Sequence, residues 1–190
     1  MFYTLDLIIF CWLNSFAFLH QGTDAIVLLF AGKLAYIVVA GLSLFGIFSL
    51  MPIFPRAVLA RARNIEMIVG ALVAGAIARF GIVEIVRFFW DRARPFEVLA
   101  HIQQLLDHDR EGSFPSGHAA FFFALATFIS FYYPRTSILF FTAAAAISVS
   151  RVIGGIHWPS DIIAGALVGI LTSFICRALL QKYRNIKTAA

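Results

Sequence analysis

A histidine and an aspartate stand four residues apart in the stretch SRVIGGIHWPSD, residues 150–161. This spacing can bring the Asp161 carboxylate to the His157 imidazole, either across one helical turn or around a bend at Pro159. Such a contact fixes the tautomer of the ring and leaves its other nitrogen free to attack an electrophile. Arg151 stands six residues before His157 and adds a positive charge. A purely structural interpretation, a helix-end arginine and a capping aspartate, is weaker because three functional groups converge here.

The stretch SFPSGH, residues 113–118, leads directly into an apolar run. Pro115 and Ser116 are typical of a helix start, and Gly117 lets the backbone approach a ligand closely. Free N–H groups at a helix N-terminus bind anions, and the Ser116 hydroxyl adds a donor. His118 would stand beside such an anion. The structural alternative is a helix cap followed by a histidine at a membrane–water interface.

Two arginines, Arg87 and Arg94, are separated by six residues in the stretch RFFWDRARPF, residues 87–96. If the helix continues through this stretch, the two side chains project to the same side, about two turns apart. Guanidinium groups present planar forks of donors that match phosphate oxygens. The alternative is that these arginines mark a helix end and extend toward the membrane interface.

Together the three stretches resemble the tripartite signature of the type-2 phosphatidic acid phosphatase superfamily, which reads Lys-x6-Arg-Pro, Pro-Ser-Gly-His and Ser-Arg-x5-His-x3-Asp. The resemblance covers roughly residues 24–180. One departure is Arg87, which occupies the place of the family's lysine and replaces a compact ammonium with a wide fork. The matching segments are Arg87-x6-Arg94-Pro95, Pro115-Ser116-Gly117-His118 and Ser150-Arg151-x5-His157-x3-Asp161.

The resemblance implies a role for each matching residue. His157 would attack phosphorus and form a phosphohistidine, with Asp161 orienting its ring. His118 would protonate the leaving oxygen and later activate water. The phosphoryl oxygens would be held by Arg87, Arg94, Arg151, Ser116 and Gly117. Because three arginines can neutralise the phosphoryl charge, we expect neither a metal nor a cofactor.

The substrate would be a lipid phosphate, since the predicted catalytic groups lie at a membrane interface. Within the family, the chain is similar to bacterial undecaprenyl-diphosphate phosphatases, which implies conversion of undecaprenyl diphosphate to undecaprenyl phosphate in cell-wall synthesis. Phosphatidate, phosphatidylglycerophosphate and lipid A phosphatases share the signature and stay open as alternatives. From another class, a non-catalytic lipid or solute transporter would also account for several spans, but not for the two histidines.

The elements that position these residues are predicted to be membrane helices. Of the 190 residues, 61% are hydrophobic and only 13% are charged, which excludes an ordinary water-soluble domain. We predict an all-α polytopic helix bundle of about six transmembrane helices, forming one integral-membrane lipid phosphatase domain over residues 1–190. The first segment carries Asp6 and Asn14 and can lie flat in the interface instead. The six segments cover residues 4–19, 25–50, 65–90, 118–134, 136–152 and 160–180.

The loop charges predict an orientation in a bacterial inner or plasma membrane. The basic loop and tail residues fall on one side, which the positive-inside rule makes cytoplasmic together with the C-terminus. The loops at about 91–117 and 151–160, which hold the candidate site, would then face outward. The net charge of +5 is spread over loops, so we expect no nucleic-acid partner, and the oligomeric state stays open. The basic residues are Arg56, Arg61, Arg63, Arg135, Arg177, Lys182, Arg184 and Lys187.

Charged residues inside the predicted spans are the last candidates, because such groups are costly in a membrane and usually paired or functional. Glu84 lies one turn before Arg87 and could pair with it behind the site. Lys33 lies about two turns from the outer end of its helix, within reach of Glu84 or of a second phosphate. Pairing within the bundle is the structural alternative, and it applies also to Glu66 and Arg79.

Overall fold

The computed structural model describes residues 2–50 and 58–189, and all regular secondary structure in these ranges is helical. The predicted all-α fold is therefore confirmed. Two π-helical segments, Leu29–Lys33 and Ile77–Ile82, join α2 to α3 and α4 to α5 without breaking the helical path. The helices are α1 (Phe2–Asn14), α2 (Gln21–Leu28), α3 (Leu34–Leu50), α4 (Val58–Ala76), α5 (Val83–Phe89), α6 (Pro95–Val98), α7 (Gly117–Ser130), α8 (Pro134–Ile153) and α9 (Pro159–Ala189).

Among the described residues, four continuous helical segments are long and apolar enough to cross a membrane. They are Gln21–Ser49, Ala60–Phe89, Pro134–Ile153 and Pro159–Thr188. The other two predicted segments form shorter apolar helices, Thr4–Asn14 and Gly117–Ser130. With 14 residues, α7 is about 21 Å long, less than the roughly 30 Å of a hydrocarbon core. The membrane helix bundle is thus confirmed, with two of its apolar helices shorter than a full span.

The first helix lies across one end of the bundle. Near its start, Asp6 accepts hydrogen bonds from Ser160, at the beginning of α9. At its end, the Asn14 amide donates to the carbonyls of Gln103 (2.7 Å) and Ile153 (2.9 Å). Since the two ends of α1 bind residues at the same end of the bundle, the flat arrangement is the one that the hydrogen bonds favour.

The remaining long helices alternate in direction, so the residues of the candidate site lie together at one end of the bundle. The C-terminal ends of α5 and α8 and the N-terminal ends of α7 and α9 meet there. The opposite end holds basic residues, where Arg177 and Arg184 pair with Glu66 at 3.2 and 3.0 Å and Arg63 donates to the Tyr133 hydroxyl. Arg56 falls outside the described residues.

Helix α7 packs against α4, α8 and α9, and most of its side chains are buried. Its contact with α9 is especially close, because the α9 residues Gly165 and Gly169 face the α7 backbone at Ser116 and Ala120. Small residues let two membrane helices approach in this way. The close approach matters for the site, since α7 carries His118 and α9 carries Asp161.

We expect Gly169→Ala to destabilise the bundle, because the added methyl group would collide with the Ala120 carbonyl oxygen. Overpacking of this kind costs roughly 1–3 kcal/mol. Thermal unfolding of the detergent-purified protein should show a lower Tm.

The matched control is Gly41→Ala, also in a helix, where the new methyl group meets nothing within 4 Å. Its Tm should equal or exceed that of the wild type, since alanine is the better helix former. An equal loss at both positions would contradict the close α7–α9 contact.

Candidate active site

His157 and Asp161 meet around the bend at Pro159, where the loop after α8 enters α9. The His157 Nδ1 atom lies 3.3 Å from Asp161 Oδ2, which also accepts the Trp158 backbone N–H at 2.9 Å. Both side chains are buried, with 2% and 0% of their surface exposed. In this arrangement Nδ1 donates to the carboxylate, and Nε2 is the nitrogen left for chemistry.

The second oxygen of Asp161 binds Arg92, a residue that the motif did not indicate. Arg92 Nη1 lies 2.7 Å from Asp161 Oδ1, and Nη2 lies 2.6 Å from Asp6 Oδ2 in α1. The guanidinium also stacks over Trp158, 5.1 Å from the ring centroid. The sequence did not indicate the roles of Asp6 and Arg92, because 86 residues separate these partners. The signal it offered was a lone carboxylate inside the first apolar segment and an arginine just after α5.

Arg94 is wholly buried and lies against the free face of His157. Its Nη1 atom is 3.4 Å from His157 Nε2 and donates to the Ile156 carbonyl at 2.8 Å, while Nε donates to the Glu111 carbonyl at 2.9 Å. Burial and the neighbouring Arg87 lower the pKa of Arg94 to about 10, so it stays charged at neutral pH. This cation stands where an anion would meet Nε2.

The helix does not continue from Arg87 to Arg94, so helical spacing does not place these two side chains on one side. Helix α5 ends at Phe89, and the chain is extended at Arg94, which precedes the short helix α6. Pro95 at the first position of α6 accounts for the extended backbone of Arg94, because proline disfavours helical backbone in the residue before it. Arg87 still faces the site, since its Nη2 donates to the Pro115 carbonyl at 3.3 Å.

The PSGH stretch forms the N-terminus of α7, as predicted. Ser116 is the residue before the first helical position, and its backbone N–H donates to the Asp161 carbonyl at 3.0 Å, which joins α7 to α9. The first-turn N–H groups of a helix have no intrahelical partner and point outward from its end. Gly117 contributes one of these groups, so the helix end presents donors toward the side where His118 lies.

His118 and Arg151 form the other wall of the site. Arg151 Nη2 lies 2.7 Å from His118 Nε2 and also donates to the Ala31 carbonyl at the π-helical segment. Since a guanidinium only donates, His118 Nε2 is the acceptor here.

Three buried polar atoms around this space lack a hydrogen-bond partner within the described part of the chain: Arg87 Nε, Ser116 Oγ and Arg151 Nε. Unpaired buried groups are costly, and their clustering indicates that a polar ligand completes them.

The two candidates behind the site differ in position. Glu84 Oε1 lies 3.6 Å from Arg87 Nη1 and also binds Arg79 Nη1, so it bridges two arginines. Lys33 is exposed on its helix, whereas its neighbours Ala31 and Gly32 line a cavity of about 380 Å³ that reaches His118. Arg79, not assigned to the site by its spacing, lines the same cavity.

The His157 ring is neutral at neutral pH. Burial is the main cause that lowers its pKa to about 4. Asp161 raises this pKa, whereas the charges of Arg94 and Arg87 lower it further. A neutral imidazole with Nδ1 bound to a carboxylate has its Nε2 lone pair available for attack.

Residues 67–185 match the model of the PAP2 superfamily, and the match includes all three signature stretches. The chain belongs to the PAP2 superfamily. The crystal structure of Aquifex aeolicus LpxE is similar in fold, with a TM-score of 0.67, 24% identity, and coverage of 92% of this chain and 95% of that one.

Three named relatives of this PAP2 protein match parts of its sequence. The bacitracin transport permease protein BcrC of Bacillus licheniformis is 32% identical over 58% of this chain and 54% of its own length. The undecaprenyl-diphosphatase of Sulfolobus acidocaldarius is 30% identical over 67% of this chain and 58% of its own. The lipid A 1-phosphatase of Porphyromonas gingivalis is 35% identical over 48% of this chain and 19% of its own. The chain thus spans little more than half the length of the first two relatives, and a fifth of the third.

The lowered pKa of His157 predicts how the stability of the PAP2 protein depends on pH. Between pH 6.5 and 4 the unfolded chain binds a proton at this histidine that the folded chain does not. Stability should therefore fall as the pH drops through this window, by up to about 3 kcal/mol from this group.

The measurement is the Tm of wild type and His157→Asn from pH 7 to 4. Asparagine keeps a donor for Asp161 but does not titrate, so the variant should lose less Tm over this window. Identical pH profiles for the two proteins would contradict the lowered pKa.

Proposed function

We propose that this PAP2 protein is a membrane lipid phosphatase, one domain over residues 1–190, that works through a phosphohistidine and without a metal. The observation that carries the proposal is the buried His157–Asp161 pair, in which His157 Nε2 lies 3.4 Å from Arg94 Nη1. The unpaired atoms of Arg87, Ser116 and Arg151 support it, because a tetrahedral phosphoryl group has oxygens to accept from all of them.

In the first step, His157 Nε2 attacks phosphorus in line with the leaving oxygen. The new P–N bond forms as the P–O bond to the leaving group breaks, and that oxygen takes a proton from His118. Asp161 holds Nδ1–H and stabilises the positive charge that develops on the ring. Binding of the phosphate would give Arg151 an oxygen to bind in place of His118 Nε2, and the negative charge would favour a proton on that nitrogen.

In the second step, water attacks the phosphohistidine. His118, now neutral, accepts a proton from the water as the new P–O bond forms and the P–N bond breaks. Phosphate leaves, and His157 returns to its neutral form beside Asp161. Phosphoryl transfer relies on positioning and charge neutralisation, which Arg87, Arg94 and Arg151 can supply.

For the substrate, we propose undecaprenyl diphosphate, which would yield undecaprenyl phosphate and phosphate. An undecaprenyl-diphosphatase among the relatives supports this choice, and a lipid A 1-phosphatase keeps other lipid phosphates as the alternative. The apolar cavity beside His118, lined by Tyr36, Phe80 and Phe121, supports a lipid leaving group of either kind. This activity would recycle a carrier lipid of cell-wall synthesis.

We further propose that the site faces outward from a bacterial inner or plasma membrane. The basic residues Arg61, Arg135 and Lys182 lie at the end of the bundle opposite His157, and such residues are enriched on the cytoplasmic side. The C-terminal end of α9 lies at that same end.

The first experiment measures phosphate release by the detergent-purified protein in EDTA, with undecaprenyl diphosphate and with phosphatidate. The wild type should act fastest on the diphosphate, and His157→Ala should lose about a thousandfold or more of kcat/KM because the nucleophile is gone. Alkaline quenching and mass spectrometry should locate a phosphoryl group on His157.

Arg110→Gln is the matched control, because it removes one exposed charge from the same end of the molecule and should retain activity. Substantial turnover by His157→Ala would overturn the nucleophile assignment. Preference for phosphatidate would keep the mechanism and replace the substrate. A folded wild type that hydrolyses neither lipid would overturn the proposed activity.

The orientation is tested with single cysteines in a background where Cys11 and Cys176 are replaced by serine. A membrane-impermeant maleimide should label His101→Cys in intact cells, and Arg135→Cys only after permeabilisation. Both positions are exposed, so a difference in labelling reports sidedness. The opposite pattern would place the site in the cytoplasm.

A further inference from the structure

We propose that Arg79 binds the second phosphate of a lipid diphosphate, the one that departs with the lipid. This inference rests on the proposed function. Arg79, which lies outside the three signature stretches, would then determine the preference for a diphosphate over a monophosphate.

Arg79 has an unusual place in the chain. It lies in the π-helical segment Ile77–Ile82, inside the membrane-spanning segment Ala60–Phe89, with 27% of its side chain exposed. A charge within a membrane helix is costly and usually marks a functional group, and π-helical turns occur frequently at functional sites. The bond to Glu84 uses Nη1, and the same guanidinium lies over the Phe80 ring at 5.2 Å.

The Arg79 guanidinium packs directly on Gly117. A methyl group at Gly117 would collide with Arg79 Nε and Cδ, so only glycine allows this approach. Gly117 is one of the residues proposed to bind the phosphoryl group, and the next residue is His118, the proposed general acid. Arg79 therefore lies beside the proposed phosphate-binding residues, next to His118.

The cavity of about 380 Å³ defines the path of the leaving group. Arg79, His118 and Arg151 line it together with apolar side chains, including Tyr36, Phe121 and Phe122. The bridging oxygen that His118 protonates must lie at this wall. In a diphosphate the next group after that oxygen is the second phosphate, which would lie beside Arg79, and the lipid chain would follow along the apolar wall.

Glu84 contacts both Arg79 and Arg87. Its side chain is 48% exposed, so it can turn toward water when phosphate oxygens take its place. A second phosphate would then receive a charge-assisted bond from Arg79. A monophosphate ester presents only carbon and the ester oxygen at this position, so it has no charged oxygen there to accept a hydrogen bond from Arg79.

The test compares farnesyl diphosphate with farnesyl monophosphate, which share one lipid chain and differ by one phosphate. For Arg79→Gln, we expect kcat/KM on the diphosphate to fall about tenfold or more, as for the loss of a charged hydrogen bond. On the monophosphate it should stay within about threefold of the wild type. Arg79→Lys should recover part of the loss, because it keeps the charge without the fork.

Binding supplies an independent readout. Pyrophosphate and phosphate are measured as competitive inhibitors of the monophosphate reaction, and Arg79→Gln should weaken inhibition by pyrophosphate about tenfold with little change for phosphate. Arg110→Gln is the control for the general loss of one positive charge at this end of the molecule, and it should leave both substrates and both inhibitors unchanged.

Equal losses on the two farnesyl substrates, or no loss on either, would overturn the role of Arg79 while leaving the proposed phosphatase intact. If Arg79→Gln does not fold, Arg79→Lys becomes the test variant. Its ratio of kcat/KM on the diphosphate to kcat/KM on the monophosphate must then fall below that of the wild type. A folded wild type that hydrolyses neither the farnesyl substrates nor undecaprenyl diphosphate would overturn both proposals together. If it hydrolyses only undecaprenyl diphosphate, the same comparison is made between undecaprenyl diphosphate and undecaprenyl phosphate.

Discussion

Burial of positive charge at one end of an apolar bundle is the constraint on which the site depends. Arg94 is wholly buried, and Arg87 and Arg151 each hold a buried nitrogen that lacks a hydrogen-bond partner in the described residues. Backbone carbonyls and the carboxylates of Asp161 and Glu84 compensate only part of this charge. Because isolated charges are costly away from water, the arrangement is most stable when an anion with several oxygens lies among the guanidinium groups. A phosphoryl group has the charge and the number of acceptors that this environment requires.

The ends of α7 and α9 fix the relative positions of the residues in the candidate site. The N-termini of α7 and α9 meet at the hydrogen bond from Ser116 to the Asp161 carbonyl, and Gly165 and Gly169 permit the close packing behind it. The proposed acid His118 and the carboxylate that orients the proposed nucleophile therefore sit on two helices whose spacing is set by backbone contact rather than by flexible side chains. On the outside, α1 stabilises the end of the bundle, since Asp6 binds both Arg92 and Ser160. Asp161 is thus held from two directions, and the orientation of His157 follows from it.

The proposed mechanism gives the site two separate tasks. In it, the groups around His157 bind the phosphoryl group, which every lipid phosphate shares. The cavity beside His118 would receive the group to which the phosphoryl group was attached, and there Arg79 adds a cation to an otherwise mostly apolar wall. This division explains how one set of signature residues can serve different lipids, because substrate preference can change through cavity residues without altering the chemistry.

The amino-acid order was enough to predict the all-α membrane bundle, since composition and the length of apolar runs depend on no long-range contact. It also identified the His157–Asp161 pair and the α7 start, because local spacing and cap residues govern both. It left the relation of Arg87 to Arg94 open, because α5 ends at Phe89 and the folded chain, not helical periodicity, brings the guanidiniums near one another. The roles of Asp6, Arg92 and Arg79 can be recognised only in the tertiary structure. Each of them contacts a residue from another part of the chain, and the energy of burying a charge depends on which groups surround it.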